Sequence, residues 1–284
     1  MAEIENQGKQ KLSWKVLGRC MVSLASVAFT QFSLYMVPYC FPSSSLLTLL
    51  PISAVAVLGV AGLGRCWKVL LGVRASAPAF VFFTLVFIWC VYIFVVRQAV
   101  SLFMDILFNA ELLMLVIGLC SILSSDPGFV THEPFCRDPA DRPFSDVEAH
   151  SESSVLVGRV GYCKHCKAYV KGFDHHCPAF GNCIGQENHF LFMMLLAGFL
   201  ISEASYIVCS FEFFSLAACS TALLYMIFVM QAKLSRNLAI STMLFSLLQV
   251  LWQVVFLIWH ISCICINIKT DEWVSSYISC LYML

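Results

Sequence analysis

Apolar residues fall in long blocks separated by short polar stretches. Six blocks run over Val16–Tyr39, Leu46–Leu63, Pro78–Val96, Leu102–Leu123, His189–Phe213 and Leu238–Ile268. A bilayer span needs roughly 20 apolar residues, so the pattern predicts six transmembrane helices, four before a polar central loop and two after it. A seventh segment, Leu216–Met230, is apolar but only about fifteen residues long. It is left open as the top of a helix, an interfacial segment or an extra span. The long polar interval, 124–188, divides in two. Asp126–Ser154 is rich in Pro, Asp, Glu and Ser and reads as irregular. The second half is too short for a hydrophobic core of its own and needs a staple such as a metal.

Composition agrees. The chain is 60% hydrophobic and 12% charged, with a mean hydropathy of +0.84, against about 45–50% and about 25% in soluble domains. Net charge is zero and no basic block suggests nucleic acid. Met1–Lys15 is polar and mixed in charge, and the long apolar run after it lacks a small-residue cleavage site, so the first block is expected to be a retained helix. Lys and Arg cluster in the N-terminal flank (Lys9, Lys11, Lys15, Arg19), in the loop after the second block (Arg65, Lys68, Arg74) and in the central loop (Arg137, Arg142, Arg159, Lys164, Lys167, Lys171). Four spans before the central loop put all three on one side, which the positive-inside tendency makes cytosolic.

Chemistry concentrates between positions 163 and 183. Most of the fifteen cysteines scatter singly through apolar blocks, where cysteine behaves as a small hydrophobe. Cys163-x-x-Cys166 is a zinc-knuckle spacing, and the second ligand pair must come from His165, His175, His176, Cys177 and Cys183. Spacing alone does not decide which residue stays out. If Cys177 binds the ion, the loop is purely structural. If Cys177 is spared, Cys163, Cys166, His176 and Cys183 close the site, and Asp174 and His175 stand beside a thiol they can activate. Chemistry favours the second choice. Four ionisable residues lie within the apolar blocks, Asp105, Glu111, Glu203 and His260. Pairing with polar neighbours is the plain reading of the first two, and an ion or substrate pathway the sharper one.

At these residues the chain resembles the DHHC protein S-acyltransferases (palmitoyltransferases). The match comprises Cys163-Lys-His-Cys166, Asp174-His175-His176-Cys177-Pro178, Asn182-Cys183-Ile184-Gly185, Asn188 and Phe192. Asp126-Pro127-Gly128 resembles the family's DPG element, and Lys269-Thr270-Asp271-Glu272 its TTxE element. The resemblance implies that Cys177 accepts a fatty acyl group from acyl-CoA (palmitoyl-CoA) and passes it to a cysteine of a membrane-associated substrate protein. It makes His175 the base and Asp174 its orienting carboxylate, with zinc on Cys163, Cys166, His176 and Cys183. The acyl chain is expected in a cavity among the spans, near the cytosolic surface.

The chain also departs from that pattern. The family usually carries two zinc sites, whereas Tyr162 and Tyr169 occupy places of first-site ligands here, and Ala149 and Glu152 fall where a further Cys-x-x-Cys is expected. Ala179 replaces a common tryptophan. The expectation is an all-α polytopic membrane protein with about six transmembrane helices and a small zinc-stapled cytosolic loop domain. Its divisions are a cytosolic N-terminus (1–15), four spans (16–123), the cytosolic cysteine-rich domain (124–188), two spans with a short apolar linker (189–268) and a short cytosolic tail (269–284). Golgi or ER membranes are the expected location, with the plasma membrane second. The alternative function is a catalytically impaired, zinc-containing membrane scaffold or regulator.

Overall fold

The computed structural model describes residues 2–72, 75–130, 160–219, 227–270 and 273. Among the described residues, six helices are long and apolar enough to cross a bilayer. They are α1 (Ala2–Cys40), α2 (Leu46–Leu71), α3 (Ala77–Val91) with the π- and 3-10-helical turns that extend it to Ala99, α4 (Leu102–Ser124), α5 (His189–Cys219) and α6 (Ile227–Cys265). Each overlaps one of the six predicted blocks, although α1 starts at Ala2, α2 runs on to Leu71 and α6 starts at Ile227. The ambiguous apolar segment resolves at both described ends, since α5 runs on to Cys219 and α6 begins at Ile227. Residues 220–226 lie outside the described residues, as does 131–159, which holds most of the Pro-rich half-loop with Cys136, Ala149, His150 and Glu152. Helices suit this composition because each satisfies its own backbone polar groups where no water can. Side chains such as Phe94 and Phe103, each 74% exposed, fit a lipid-facing surface. The protein is a multi-pass membrane protein.

The chain divides into two compact units, Met1–Ile117 with Ala197–Val255 and Gly118–Leu196 with Phe256–Leu284. In the first, Ser23 on α1 both donates to the Ser76 carbonyl and accepts from its N–H, each at 2.8 Å. Val37, Leu49 and Leu244 form a buried apolar cluster, and Phe108 packs against Tyr92 and Tyr206. Asp105 takes the plain reading. Its carboxylate accepts from Arg97 (3.0 Å), Tyr92 (3.1 Å) and Asn109 (2.9 Å). Glu111 likewise accepts from Ser205 at 3.1 Å.

The second unit holds the cysteine-rich segment. Strands β1 (Phe129–Val130), β2 (Val160–Cys163) and β3 (Ala168–Lys171) form an antiparallel sheet in the order β1-β3-β2. Strands β4 (His175–Cys177) and β5 (Asn182–Ile184) form a separate hairpin. Tyr162 and Tyr169 face each other across β2 and β3, with ring centroids 5.0 Å apart. One buried cluster here is Cys163, Val170 and Cys183, with Phe173 packed against it.

Two asparagines tie the hairpin to the end of α4. Asn182 donates to the carbonyls of Ile122 (2.9 Å) and Ser125 (2.8 Å) and accepts from the Cys183 N–H. Asn188, 1% exposed, donates to the Cys183 carbonyl (2.9 Å) and to Ser125 Oγ (3.1 Å) and accepts from the Gly185 N–H. Gly185 sits where chains converge, and a Cβ there would run into the Pro127 carbonyl oxygen, with Val170 Cγ1 at 2.6 Å. Overpacking of a tight site costs about 1–3 kcal/mol. Gly185→Ala is therefore expected to destabilise the cysteine-rich unit by at least that amount, seen as faster labelling of Cys163 and Cys183 by a thiol reagent in mild denaturant. Wild-type labelling rates for the alanine variant would refute the packing argument.

Candidate functional site

The site is built on β4 and β5, and the pleat sorts its residues. Successive side chains of a strand point to opposite faces. In β4, His175 and Cys177 therefore share one face, and His176 lies on the other. The register pairs His176 with Cys183 directly across the hairpin, so these two stand on a common face. The hairpin closes through a tight turn in which the Gly181 N–H donates to the Cys177 carbonyl at 2.8 Å. Gly181 adopts φ +63°, a conformation that glycine reaches at no steric cost.

On the His176 face, four donors converge. The ligand atoms of Cys163, Cys166, His176 and Cys183 all lie within 4.8 Å of one another. Cys166 Sγ is 3.5 Å from His176 Nδ1 and 3.4 Å from Cys183 Sγ, and Cys183 Sγ is 3.6 Å from His176 Nδ1. A tetrahedral ion with Zn–S bonds of about 2.3 Å sets its sulfur ligands roughly 3.8 Å apart, so this spacing fits a metal of that size. The knuckle forms because the Lys167 N–H donates to the Cys163 carbonyl (2.7 Å) and the Cys166 N–H to Cys163 Sγ (3.3 Å), with Lys167 at φ +54°. Burial and the neighbouring cysteines push the Cys183 thiol pKa well up. Three thiols packed this closely need a cation to become thiolates together. His165 stacks on His176 with centroids 4.1 Å apart and is not among the converging donors.

On the opposite face lie Asp174, His175 and Cys177. His175 Nδ1 is 2.8 Å from Asp174 Oδ2. Thr270, just past α6, donates its backbone N–H to Asp174 Oδ1 (3.0 Å) and its hydroxyl to Oδ2 (2.8 Å). Burial alone would raise the Asp174 carboxyl, but the hydrogen bonds from His175 and Thr270 override it and hold the group well below the usual carboxylate range. Burial also disfavours a charged His175. Hydrogen bonds with Asp174 and Cys177 outweigh that effect and raise the imidazole to about 9. With Nδ1–H committed to the carboxylate, Nε2 is left for the thiol. Cys177 itself is 7% exposed. The structure thus gathers the seven residues singled out in the sequence into two clusters, a four-donor set and a Cys–His–Asp set.

Several neighbours were not assigned roles from the sequence. Phe192 meets His175 edge-on at 5.3 Å. His260, on α6, lies 5.6 Å from His175 between ring centroids and 5.0 Å from Phe192. The signal for His260 was its charge-capable ring inside an apolar block, but only folding shows which residue it meets. Asp271 and Glu272 of the TTxE-like element lie outside the described residues.

Comparison with known proteins agrees with this layout. The family described as DHHC palmitoyltransferase matches residues 152–277. Palmitoyltransferase AKR1 of Mortierella alpina is 42% identical over 76 residues, covering 26% of this chain and 14% of that protein. Mouse palmitoyltransferase ZDHHC12 is 32% identical over 113 residues, covering 31% and 40%. Rat palmitoyltransferase ZDHHC3 is 27% identical over 163 residues, covering 53% and 54%. The chain thus spans about half the length, or less, of the curated relatives it matches. The match to the DHHC palmitoyltransferase family over residues 152–277 takes in both residue clusters.

Proposed function

We propose that the protein is an S-acyltransferase that moves a fatty acyl group, palmitoyl in the first instance, from acyl-CoA to cysteine thiols of membrane-associated proteins. The observation that carries this reading is the separation of Cys177 from the four converging donors, with His175 and Asp174 aligned behind it. In the first half-reaction, His175 Nε2 takes the Cys177 proton and Sγ attacks the thioester carbonyl carbon. A new S–C bond forms, the bond to the CoA sulfur breaks, and CoA leaves as the thiol with the proton from His175. In the second half-reaction the substrate cysteine gives its proton to His175 and takes the acyl group, and Cys177 recovers its proton. Asp174 keeps Nδ1–H facing away from the thiol and stabilises the imidazolium that forms in each half.

Zinc on Cys163, Cys166, His176 and Cys183 would serve as a structural cross-link and supply no reacting group. The reducing cytosol suits both the thiolate ligands and acyl-CoA, and the Lys and Arg distribution favours that side for the central loop. The Golgi or ER is the proposed location, in keeping with the family.

Four outcomes test this reading. Cys177→Ser is expected to abolish labelling of both enzyme and substrate by a clickable fatty acid while retaining zinc, and full self-acylation of that variant would refute the assignment. Asp174→Asn and His175→Ala are expected to slow acyl loading by about 10²–10⁴-fold. Thr270→Val, which keeps the backbone donor, is expected to slow it by about tenfold, the loss of one charge-assisted hydrogen bond. Elemental analysis is expected to give one zinc per chain in the wild type and none in Cys183→Ser, whose cysteine-rich unit unfolds. A Cys183→Ser protein that stays folded and active would show that the metal is dispensable.

A further inference from the structure

His260 stands apart from the reaction as written, and its surroundings are unusual. The residue is 1% exposed, and its Nε2 has no hydrogen-bond partner within the protein. Leaving a buried donor unmade costs about 1–3 kcal/mol, and polar groups so left in folded proteins call for an explanation. Aromatic neighbours hold the ring in place. Phe256 meets it edge-on at 4.5 Å, Trp259 at 4.8 Å and Phe192 at 5.0 Å. Packing alone would be served by a phenylalanine, so the imidazole nitrogen has to be accounted for separately.

The ring also lines a cavity of about 170 Å³ that Asp174, His189 and Lys269 share. Its other neighbour is the proposed general base, with the two imidazoles 5.6 Å apart. The Asp174 carboxylate in that cavity is already committed to His175 and Thr270. In the tautomer that carries its hydrogen on Nε2, the partner His260 lacks is an acceptor, and the transferring molecule brings one. When Cys177 attacks, the carbonyl π electrons move onto oxygen, and the negative charge needs a donor near the thiol–imidazole pair.

We propose that His260 Nε2–H donates a hydrogen bond to a carbonyl oxygen of the acyl donor, which makes His260 a further catalytic residue. The inference rests on the acyl-transfer reading. The carbonyl is either that of the thioester, whose oxygen becomes anionic during attack, or a pantetheine amide of CoA. The two sources separate kinetically. The thioester carbonyl is present in both half-reactions, whereas the pantetheine amide is present only while acyl-CoA is bound.

The test compares His260→Phe with His260→Gln in the purified full-length protein. Phenylalanine keeps the ring and removes the donor, and glutamine can place an amide N–H near the Nε2 position. Palmitoyl-CoA is the donor and a cysteine peptide the acceptor. If the thioester carbonyl is bound, His260→Phe lowers kcat by about 10²–10³-fold, as loss of an oxyanion donor does elsewhere. It then also slows discharge of preloaded acyl-enzyme to the peptide, and His260→Gln restores most of both. If the pantetheine amide is bound, His260→Phe raises KM for palmitoyl-CoA, discharge of preloaded enzyme is unchanged, and glutamine again restores the wild-type value. Wild-type kinetics for His260→Phe would overturn the inference. So would equal losses in both variants with zinc retained, which marks a packing role. A wild-type protein inert toward palmitoyl-CoA would instead overturn the acyl-transfer reading itself.

Discussion

A strand of three residues fixes what the remainder of the site can do. Side chains alternate across β4 with a period of two, so two adjacent histidines cannot serve the same cluster. His176 turns toward the cysteines, and His175 turns away with Cys177. A helix would scatter the same three residues around its axis. A flexible loop would let Cys177 swing in among the four donors, which would cost the proposed reaction its nucleophile. The pleat therefore keeps Cys177 apart from the four-donor set, and pairing with β5 makes that division rigid by placing Cys183 opposite His176.

The attacking side is held from several directions at once. Asp174 is fixed by Thr270, which follows α6, and by the Asp174 N–H donating to the Ile184 carbonyl of β5. His175 is then bounded by Asp174 on Nδ1, by the Phe192 edge from α5 and by His260 from α6. An imidazole so enclosed has few orientations left, and in the proposed reaction a base so held would lose little entropy on reaching the transition state. The carboxylate is the most exacting member. It is 3% exposed and accepts three hydrogen bonds, from His175 Nδ1 and from the Thr270 amide and hydroxyl. Those bonds let a buried anion persist where burial alone would neutralise it.

Much of this was legible in the residues, for different reasons. The six spans were readable because a bilayer demands about 20 apolar residues in a row, a constraint that no packing detail alters. The four-donor set was narrowed by the Cys-x-x-Cys knuckle, yet spacing could not choose between His175, His176 and Cys177. The deciding fact was strand register, which depends on the turn at Gly181 and on backbone pairing rather than on ligand chemistry. Asp105 illustrates the opposite case. It reads as a functional flag inside an apolar block, but Arg97 arrives from the turn before α4 to neutralise it. Asn182, Asn188 and His260 stayed without roles because their partners lie far off in sequence. Asn182 binds a carbonyl sixty positions earlier, and no local pattern encodes that.

The same reasoning bears on how the four-donor set would hold so small a sheet. Tyr162 and Tyr169 pack across β2 and β3 at positions where the family resemblance leads one to expect ligands. A cross-strand aromatic pair contributes about 0.5–1.5 kcal/mol beyond its area, against about 10–16 kcal/mol apparent for a structural zinc. The rings cannot replace an ion in that ledger. They can keep β2 and β3 in register, and that register carries Cys163 and the knuckle into position beside β5. With zinc on the four donors, as proposed, fold and ion would depend on each other. The ion would staple the sheet, and the donor set exists only while the sheet holds Cys163 against Cys183. The chemistry on the far side of β4 inherits this coupling, because His175 and Cys177 are aimed by the strand that His176 anchors.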